Sequence, residues 1–429
     1  MSRGEDMLTH EQNQLLTRVG PGSPMGEMLR EYWMPAIQSS SLERDGAPKR
    51  VRLMGENFVA FRATDDRVGF VDEACPHRSA SLALGRNEQG GLRCIFHGWK
   101  ISPDGKIVDT PCEPADRRAA FAAAQKVRAF PVHEVGGVVW IYLGKEETPP
   151  RFPEFEFTTL PASHVNVRRG LVHYNWLQGL EAHIDSSHVG VLHSGFIGRG
   201  VGDAQLRDLN LTMVDTAPDF EMDVTSYGLR EGALRSVGEG RTYARIRQIV
   251  LPFFTFIPGA RGDPCSGRAT VPVDDEWDAE WYIVYDPDKP VTDVRLANLY
   301  NGASQDPEDF SANLGTPENL WHQDRAAMKA GHWSGLTRNI PFEDFIIQSS
   351  MGPLVDRTKE QLGSADAIIV RTRRLLLDAI EEYQRSGTIP WRSDDIDFAA
   401  IRALAVTFPS GQDWRQFAPD FLAHKAAAE

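Results

Sequence analysis

Cys75-Pro76-His77 and Cys94-Ile95-Phe96-His97-Gly98-Trp99 stand sixteen residues apart, and their reading decides the first third of this chain. Each stretch couples one thiol to one imidazole. Only four cysteines occur in 429 residues, the other two being Cys112 and Cys265. A disulfide framework needs a dense set in a small secreted chain, so sparse cysteines here are inert core residues or metal ligands. Around the two pairs, residues 57–62 and 68–71 are short apolar runs, and Gly90-Gly91 and Asp104-Gly105 mark hairpin turns. The pairs therefore fall on two loop tips of a small β-domain.

Three readings of those tips are open: core cysteines beside unrelated histidines, a structural zinc site, or an iron–sulfur cluster. Zinc modules usually group Cys with Cys and His with His. Here each arm is mixed, which suits a dinuclear 2Fe–2S cluster with two thiolates on one iron and two imidazoles on the other. Cys-x-His-x₁₆-Cys-x₂-His with its trailing Gly-Trp resembles the Rieske domains of ring-hydroxylating oxygenases, which makes Cys75, His77, Cys94 and His97 the cluster ligands. That family's second loop usually reads Cys-Pro-Tyr-His-Gly-Trp. Ile95 and Phe96 replace Pro-Tyr here, so a hydroxyl near the sulfurs is lost, and hydrogen bonds to the cluster are one lever on its potential.

Residues 175–193, Asn-Trp-Leu-Gln-Gly-Leu-Glu-Ala-His-Ile-Asp-Ser-Ser-His-Val-Gly-Val-Leu-His, carry apolar Leu177, Leu180 and Ile184 at helical spacing. On such a helix Glu181, Asp185 and His188 share a face. His188 and His193 are five residues apart, about 140° of rotation, so both reach one metal only if the helix loosens between them. Gly190 is the expected break, with a π-bulge as the alternative. Two histidines plus a distant carboxylate make the facial triad of non-haem Fe(II) oxygenases; the bland alternative is a surface helix with histidines on it.

Asn-Trp-x₄-Glu-x₃-Asp-x₂-His-x₄-His resembles the iron-site signature of Rieske non-haem iron oxygenases, in particular their phthalate-dioxygenase-like branch. The likeness extends to residues 15–35 and 343–366 and so spans nearly the whole chain. It implies an α+β oxygenase (alpha) subunit: an N-terminal helical segment over 1–40 packing on the catalytic domain, a small all-β Rieske domain over 41–155, and a helix-flanked antiparallel-sheet catalytic domain over 156–429 holding mononuclear Fe(2+). The resemblance also implies the third iron ligand, Asp344, with Glu343 as the alternative among 60 acids. Asp185 would be the catalytic bridge, joining an iron-ligand histidine to His77 or His97 of the next subunit in a homotrimer or stacked hexamer. The implied reaction oxygenates an aromatic carboxylate by ring dihydroxylation with O₂ and electrons from NADH. Monooxygenation or O-demethylation is the alternative, and an electron carrier without oxygenase activity a distant one. No Gly-x-Gly-x-x-Gly follows a strand, so the electrons are expected from a separate NADH-dependent flavin/2Fe–2S reductase.

Composition narrows the partners further. With 46 Lys+Arg against 60 Asp+Glu, the net charge of −14 argues against nucleic acid and anionic membrane, yet leaves room for a local arginine pocket. No run approaches the roughly 18 apolar residues of a membrane span, and the charged N-terminus lacks an apolar leader, so a cytoplasmic location is expected. Strands are expected over 210–214, 242–254 and 281–285. Alternation puts Tyr243, Arg245 and Arg247 on one face, opposite Ala244 and Ile246. Arg245 is the first candidate to hold a substrate carboxylate and Arg207 the second, unless that face is simply solvated. A helix over 366–385 should bury Ile368, Thr372, Leu376 and Ile380 and expose Arg371, Arg373 and Arg374. His173 and His183 are candidate supports of the iron site, while Cys112, Cys265 and the remaining histidines are read as structural.

Overall fold

Alternating apolar residues and glycine turns build four antiparallel sheets in the computed structural model, which describes residues 7–146, 148–197, 209–259, 264–292, 296, 299–306 and 308–418. The chain forms two compact units. Val19–Phe152 make the smaller one; the stretch up to Arg18 joins Pro153 onward in the larger.

Ten short strands make the smaller unit: β1 (Trp33–Gln38), β2 (Lys49–Leu53), β3 (Glu56–Arg62), β4 (Val68–Asp72), β5 (Arg86–Glu88), β6 (Gly91–Arg93), β7 (Lys100–Ile101), β8 (Ile107–Asp109), β9 (Val132–Val135) and β10 (Val138–Tyr142). They pair as β1-β10-β9, β2-β3-β4 and β5-β6-β7-β8. Gln89 and Gly90 both take positive φ to close the β5–β6 hairpin. Cys75 and Cys94 sit in the core between the sheets, with Val59, Leu82, Leu92 and Trp99.

The expected 1–40 segment divides at this level. Helix His10–Thr17 does belong with the larger unit, where the Leu16 and Thr17 carbonyls accept from Trp176 Nε1 (3.2 Å) and Asn175 Nδ2 (2.9 Å). Residues from Val19 do not. Every residue of β1 is buried and its backbone needs ladder partners, which it finds on β10.

The larger unit is built on β11 (Val165–Val172), β12 (Asp219–Thr225), β13 (Gly228–Ser236), β14 (Arg241–Val250), β15 (Phe254–Ile257), β16 (Cys265–Pro272), β17 (Asp278–Tyr285) and β18 (Leu404–Pro409). The order is β11-β17-β16-β15-β14-β13-β12, with β18 also paired to β14. The expected strand over 242–254 ends at Val250: Leu251–Phe253, with Pro252 unable to donate to a ladder, form a turn, and the chain reverses so that β15 pairs antiparallel back onto β14. The expected strand over 210–214 is instead a helical turn, Leu211–Val214, with the Thr212 hydroxyl donating to the Leu209 carbonyl at 2.6 Å. Four residues without a neighbouring strand have no ladder to join.

Helix Ala367–Ser386 follows its expected stripe, burying Ile368, Thr372, Leu376 and Ile380, and ends at Gly387 in the left-handed conformation. Arg373 departs from the expectation of a solvated face. It is 3% exposed because Glu181 and Glu360 each take it at 2.6 Å. Among the described residues no helix is long and apolar enough to cross a membrane.

Candidate functional site

The two Cys/His loops fold alike. In the first, the Ser79 N–H donates to the Cys75 carbonyl (2.8 Å) and the Cys75 N–H to Ala80 (2.9 Å). In the second, Gly98 donates to Cys94 (3.0 Å) and Cys94 to Trp99 (2.8 Å). Each tight turn buries its thiol and presents its imidazole outward; the His77 and His97 rings meet edge to face at 4.4 Å, and His77 stacks on Trp99 at 4.8 Å. Burial, with the neighbouring Cys94, pushes the Cys75 thiol up to about 11. A buried thiol becomes a thiolate when a metal cation draws it. Two buried sulfurs and two convergent imidazoles fit a cluster ligated two-and-two. Ile95 and Phe96 at the second tip are 59% and 55% exposed, so the altered pair is a surface feature of the loop.

The second site begins where helix Trp176–Ile184 stops. Asn175 caps its start, accepting from the Leu177 N–H at 3.1 Å. It ends at Asp185, not at Gly190, for two reasons. Asp185 turns its own carboxylate onto the backbone, accepting from the Ser187 N–H (2.7 Å) and facing His188 Nδ1 (3.0 Å). Two buried arginines on β13 and β14 then take the flanking carbonyls: Arg247 Nη1 donates to Ile184, and Arg235 Nη2 to Ser186 at 3.0 Å. The expected common face of Glu181, Asp185 and His188 is therefore not formed. Glu181 turns instead to Arg357 (2.8 Å) and Arg373 (2.6 Å). Gly190 lies within the short helix Val189–Leu192 as a close-approach residue; a Cβ there would fall 2.3 Å from the Thr212 carbonyl oxygen.

That break lets both histidines meet one acid. His188 Nε2 is 3.6 Å and His193 Nε2 3.2 Å from Asp344 Oδ1. The three side chains' ligand atoms all lie within 4.8 Å of one another, a spacing that can hold a single metal ion. Asp344 and Glu343 stand in the first turns of helix Ile340–Ser350, capped by Asn339, where the helix dipole favours negative charge. The two acids divide the work. Asp344 faces both Nε2 atoms, whereas Glu343, the alternative ligand, takes His193 Nδ1 at 2.7 Å and accepts from the Ser334 hydroxyl. Each imidazole is thus held from behind by a carboxylate, Asp185 or Glu343, with its Nε2 turned inward. Burial pulls the His193 pKa down, but Asp344 and Glu343 outweigh it and bring it to about 9. The pocket is built for positive charge, and two imidazoles plus a carboxylate fit Fe(2+).

A cavity of about 210 Å³ opens beside these three residues. Asp185, His183, Arg245, Arg247 and Arg268 line it together with apolar Ile257, Val284 and Ile340. Arg245 is 3% exposed; its Nη2 donates to the Pro258 carbonyl at 2.7 Å, but its Nε and Nη1 have no partner among the described residues. Ala244 and Ile246, on the opposite face of β14, pack against Phe408 and Trp414. Arg207 lies outside the described residues.

Arg268 was not singled out by sequence. Its guanidinium sits 3.8 Å from the Tyr282 ring centroid and bonds Ser266 Oγ at 2.6 Å. Strand alternation on β16 was the available signal. His173 stacks on Trp277 and is absent from the cavity wall, unlike His183.

The family model described as LigXa C-terminal domain like matches residues 141–429, and that described as Rieske [2Fe-2S] domain matches residues 32–131. The chain is 36% identical over 427 residues to the 3-chlorobenzoate-3,4-dioxygenase oxygenase subunit of Comamonas testosteroni, covering 95% of this chain and 97% of that one. It is 36% identical over 422 residues to the phthalate 4,5-dioxygenase oxygenase subunit of Pseudomonas putida, covering 96% and 95%. Among solved structures, the terminal oxygenase of carbazole 1,9a-dioxygenase from Novosphingobium sp. KA1 shares the fold, with a TM-score of 0.56 at 19% identity over 85% of this chain and 96% of that one.

Proposed function

Because this chain belongs to the Rieske non-haem iron oxygenases, as an oxygenase subunit of their phthalate-dioxygenase-like branch, we propose that it dihydroxylates the ring of an aromatic carboxylate with O₂. The family's cofactors are the 2Fe–2S cluster and a mononuclear non-haem iron; when bound, the iron activates O₂ and the cluster supplies it with electrons. Cys75, His77, Cys94 and His97 would hold the first, and His188, His193 and Asp344 the second. Glu343 fixes the His193 ring so that Nε2 stays turned inward. Glu343→Gln removes the charge behind that ring while keeping an acceptor. Iron affinity, read by chelator competition, is expected to weaken by about 10- to 100-fold with the cluster spectrum unchanged.

Arg245 carries the substrate class. Leaving charged N–H groups buried and unbonded costs more than the roughly 1–3 kcal/mol of a neutral donor, and the natural relief is an anion in the cavity. Electrons would come from an NADH-dependent flavin/2Fe–2S reductase, and a trimeric ring or stacked hexamer would bring one subunit's cluster to another's Asp185. Four cysteines without disulfides suit a reducing cytoplasm. The test is product analysis with the reductase across aromatic mono- and dicarboxylates, methoxy-aromatic acids and neutral arenes. cis-Dihydrodiols from acids are expected, and Arg245→Met should raise KM for them by about 30-fold or more. Turnover of neutral arenes but of no acids would overturn the assignment; demethylated products would move it to O-demethylation.

A further inference from the structure

Beneath helix Trp176–Ile184, two acids of β17 point at the same spot. Asp278 and Glu280 are both fully buried, and a Cβ on Gly179 would fall 2.3 Å from Glu280 Oε1 and 3.2 Å from Asp278 Oδ2. That glycine is what leaves the pair room. Tyr174 Oη donates to Glu280 Oε1 at 2.9 Å, and His183 Nε2 stands 3.4 Å from Glu280 Oε2. Glu280 Oε2 and both Asp278 carboxyl oxygens otherwise have no hydrogen-bond partner among the described residues.

Five groups face Glu280: Tyr174 and His183 from the helix side, Asp278 on its own strand, Arg268 on β16 and Asp344 on helix Ile340–Ser350. Arg268, the one cation among them, is bound to Ser266 and Tyr282. Two carboxylates without a bonded cation cannot both stay ionised at such depth. Burial pushes Glu280 up to about 8 and Asp278 well above the carboxylate range, so near neutral pH the pair holds protons. His183, 7% exposed, is kept neutral by burial and lines the oxygenase cavity. None of the roles given above to the iron ligands or to Arg245 involves Asp278, Glu280 or Tyr174.

We propose that Asp278 and Glu280 are a proton store for the cavity, delivering through His183. Ring dihydroxylation of an arene consumes one O₂, two electrons and two protons, and the electrons come from the reductase. In each delivery the Glu280 O–H bond breaks and an N–H bond forms at His183 Nε2, while the N–H bond at Nδ1 breaks and that proton leaves into the cavity; a proton passed back from Nε2 to Nδ1 through cavity water resets the tautomer before the next delivery. Asp278 returns a proton to Glu280, and solvent restores the pair between turnovers. No electron moves in the relay. The inference rests on the oxygenase reading for the proton demand, but the existence of the store does not.

Glu280→Gln and Asp278→Asn holoenzymes, checked for wild-type iron content and cluster absorption, test it by two readouts. Infrared spectroscopy of the wild type at pH 7 should show the C=O band of protonated buried carboxyls, reduced in each variant. Product formed per O₂ consumed should fall in the wild type as pH rises from neutral into the alkaline range, since the protonated form is the one required and burial raises the Glu280 carboxyl above its usual range. In Glu280→Gln that ratio should be several-fold lower, lack the pH step, and release the difference as hydrogen peroxide. If Glu280→Gln does not fold, Asp278→Asn carries both readouts. No protonated band in the wild type, or a variant whose coupling profile overlays the wild type, overturns the proposal. Absence of O₂ uptake by the wild type would instead strike the oxygenase reading.

Discussion

His188→Ala is expected to lose the mononuclear iron almost completely while keeping the cluster's colour and absorption. The site offers one atom each from His188, His193 and Asp344, so the variant retains two ligands of three and loses the imidazole whose Nε2 faces Asp344. Cys75, His77, Cys94 and His97 belong to Val19–Phe152, whose core around Val59, Leu82 and Trp99 is its own. Metal analysis should give two irons per chain in place of three, with the Rieske absorption unaltered and no O₂ uptake with reductase and substrate. Three irons retained would mean that the metal is held elsewhere. Asp344→Ala should behave in the same way, and more severely than Glu343→Gln, which leaves all three ligands in place.

That contrast between neighbouring acids shows where the sequence stops being informative. Cys75/His77 and Cys94/His97 are legible as candidate donors because each pair is local: a turn of a few residues sets a thiol and an imidazole at once. His188 and His193 are legible as donors for the same reason. Which of Glu343 and Asp344 joins the two Nε2 atoms is not, because adjacent helical residues point about 100° apart and only the docked helix decides which meets Nε2 and which Nδ1. The helix break was misplaced on similar grounds. Gly190 is the weakest helix former nearby, yet the carbonyls of Ile184 and Ser186 are claimed by Arg247 and Arg235, arginines roughly fifty to sixty residues further on. Arg373 fell on the polar side of a helical wheel, but Glu181 draws it into the interior. In each case a charged partner remote in sequence overrode a sound local preference.

Asp185 ends the clamped helix and backs the His188 ring, and its substitution is expected to separate holding the metals from using them. In Asp185→Asn the side chain keeps its shape and one acceptor, so His188 stays oriented and iron content is expected to remain at three per chain. The charge behind the His188 imidazole is lost. A carboxylate there favours a ring that donates from Nδ1 and can carry a proton as the redox state changes; a carboxamide does not. Turnover should therefore fall by at least about 100-fold. The loss should appear in electron delivery and not in substrate binding. When fully reduced enzyme is mixed with O₂ and substrate, the cluster of the variant should reoxidise slowly, while KM for the aromatic acid stays near the wild-type value because Arg245 is untouched. Asp185→Ala removes the contacts to Ser187 and His188 together and, in protein reconstituted with iron so that both metal sites are filled, should abolish turnover. Rapid cluster reoxidation in either variant would show that electrons bypass Asp185 and that its carboxylate serves only to end the helix.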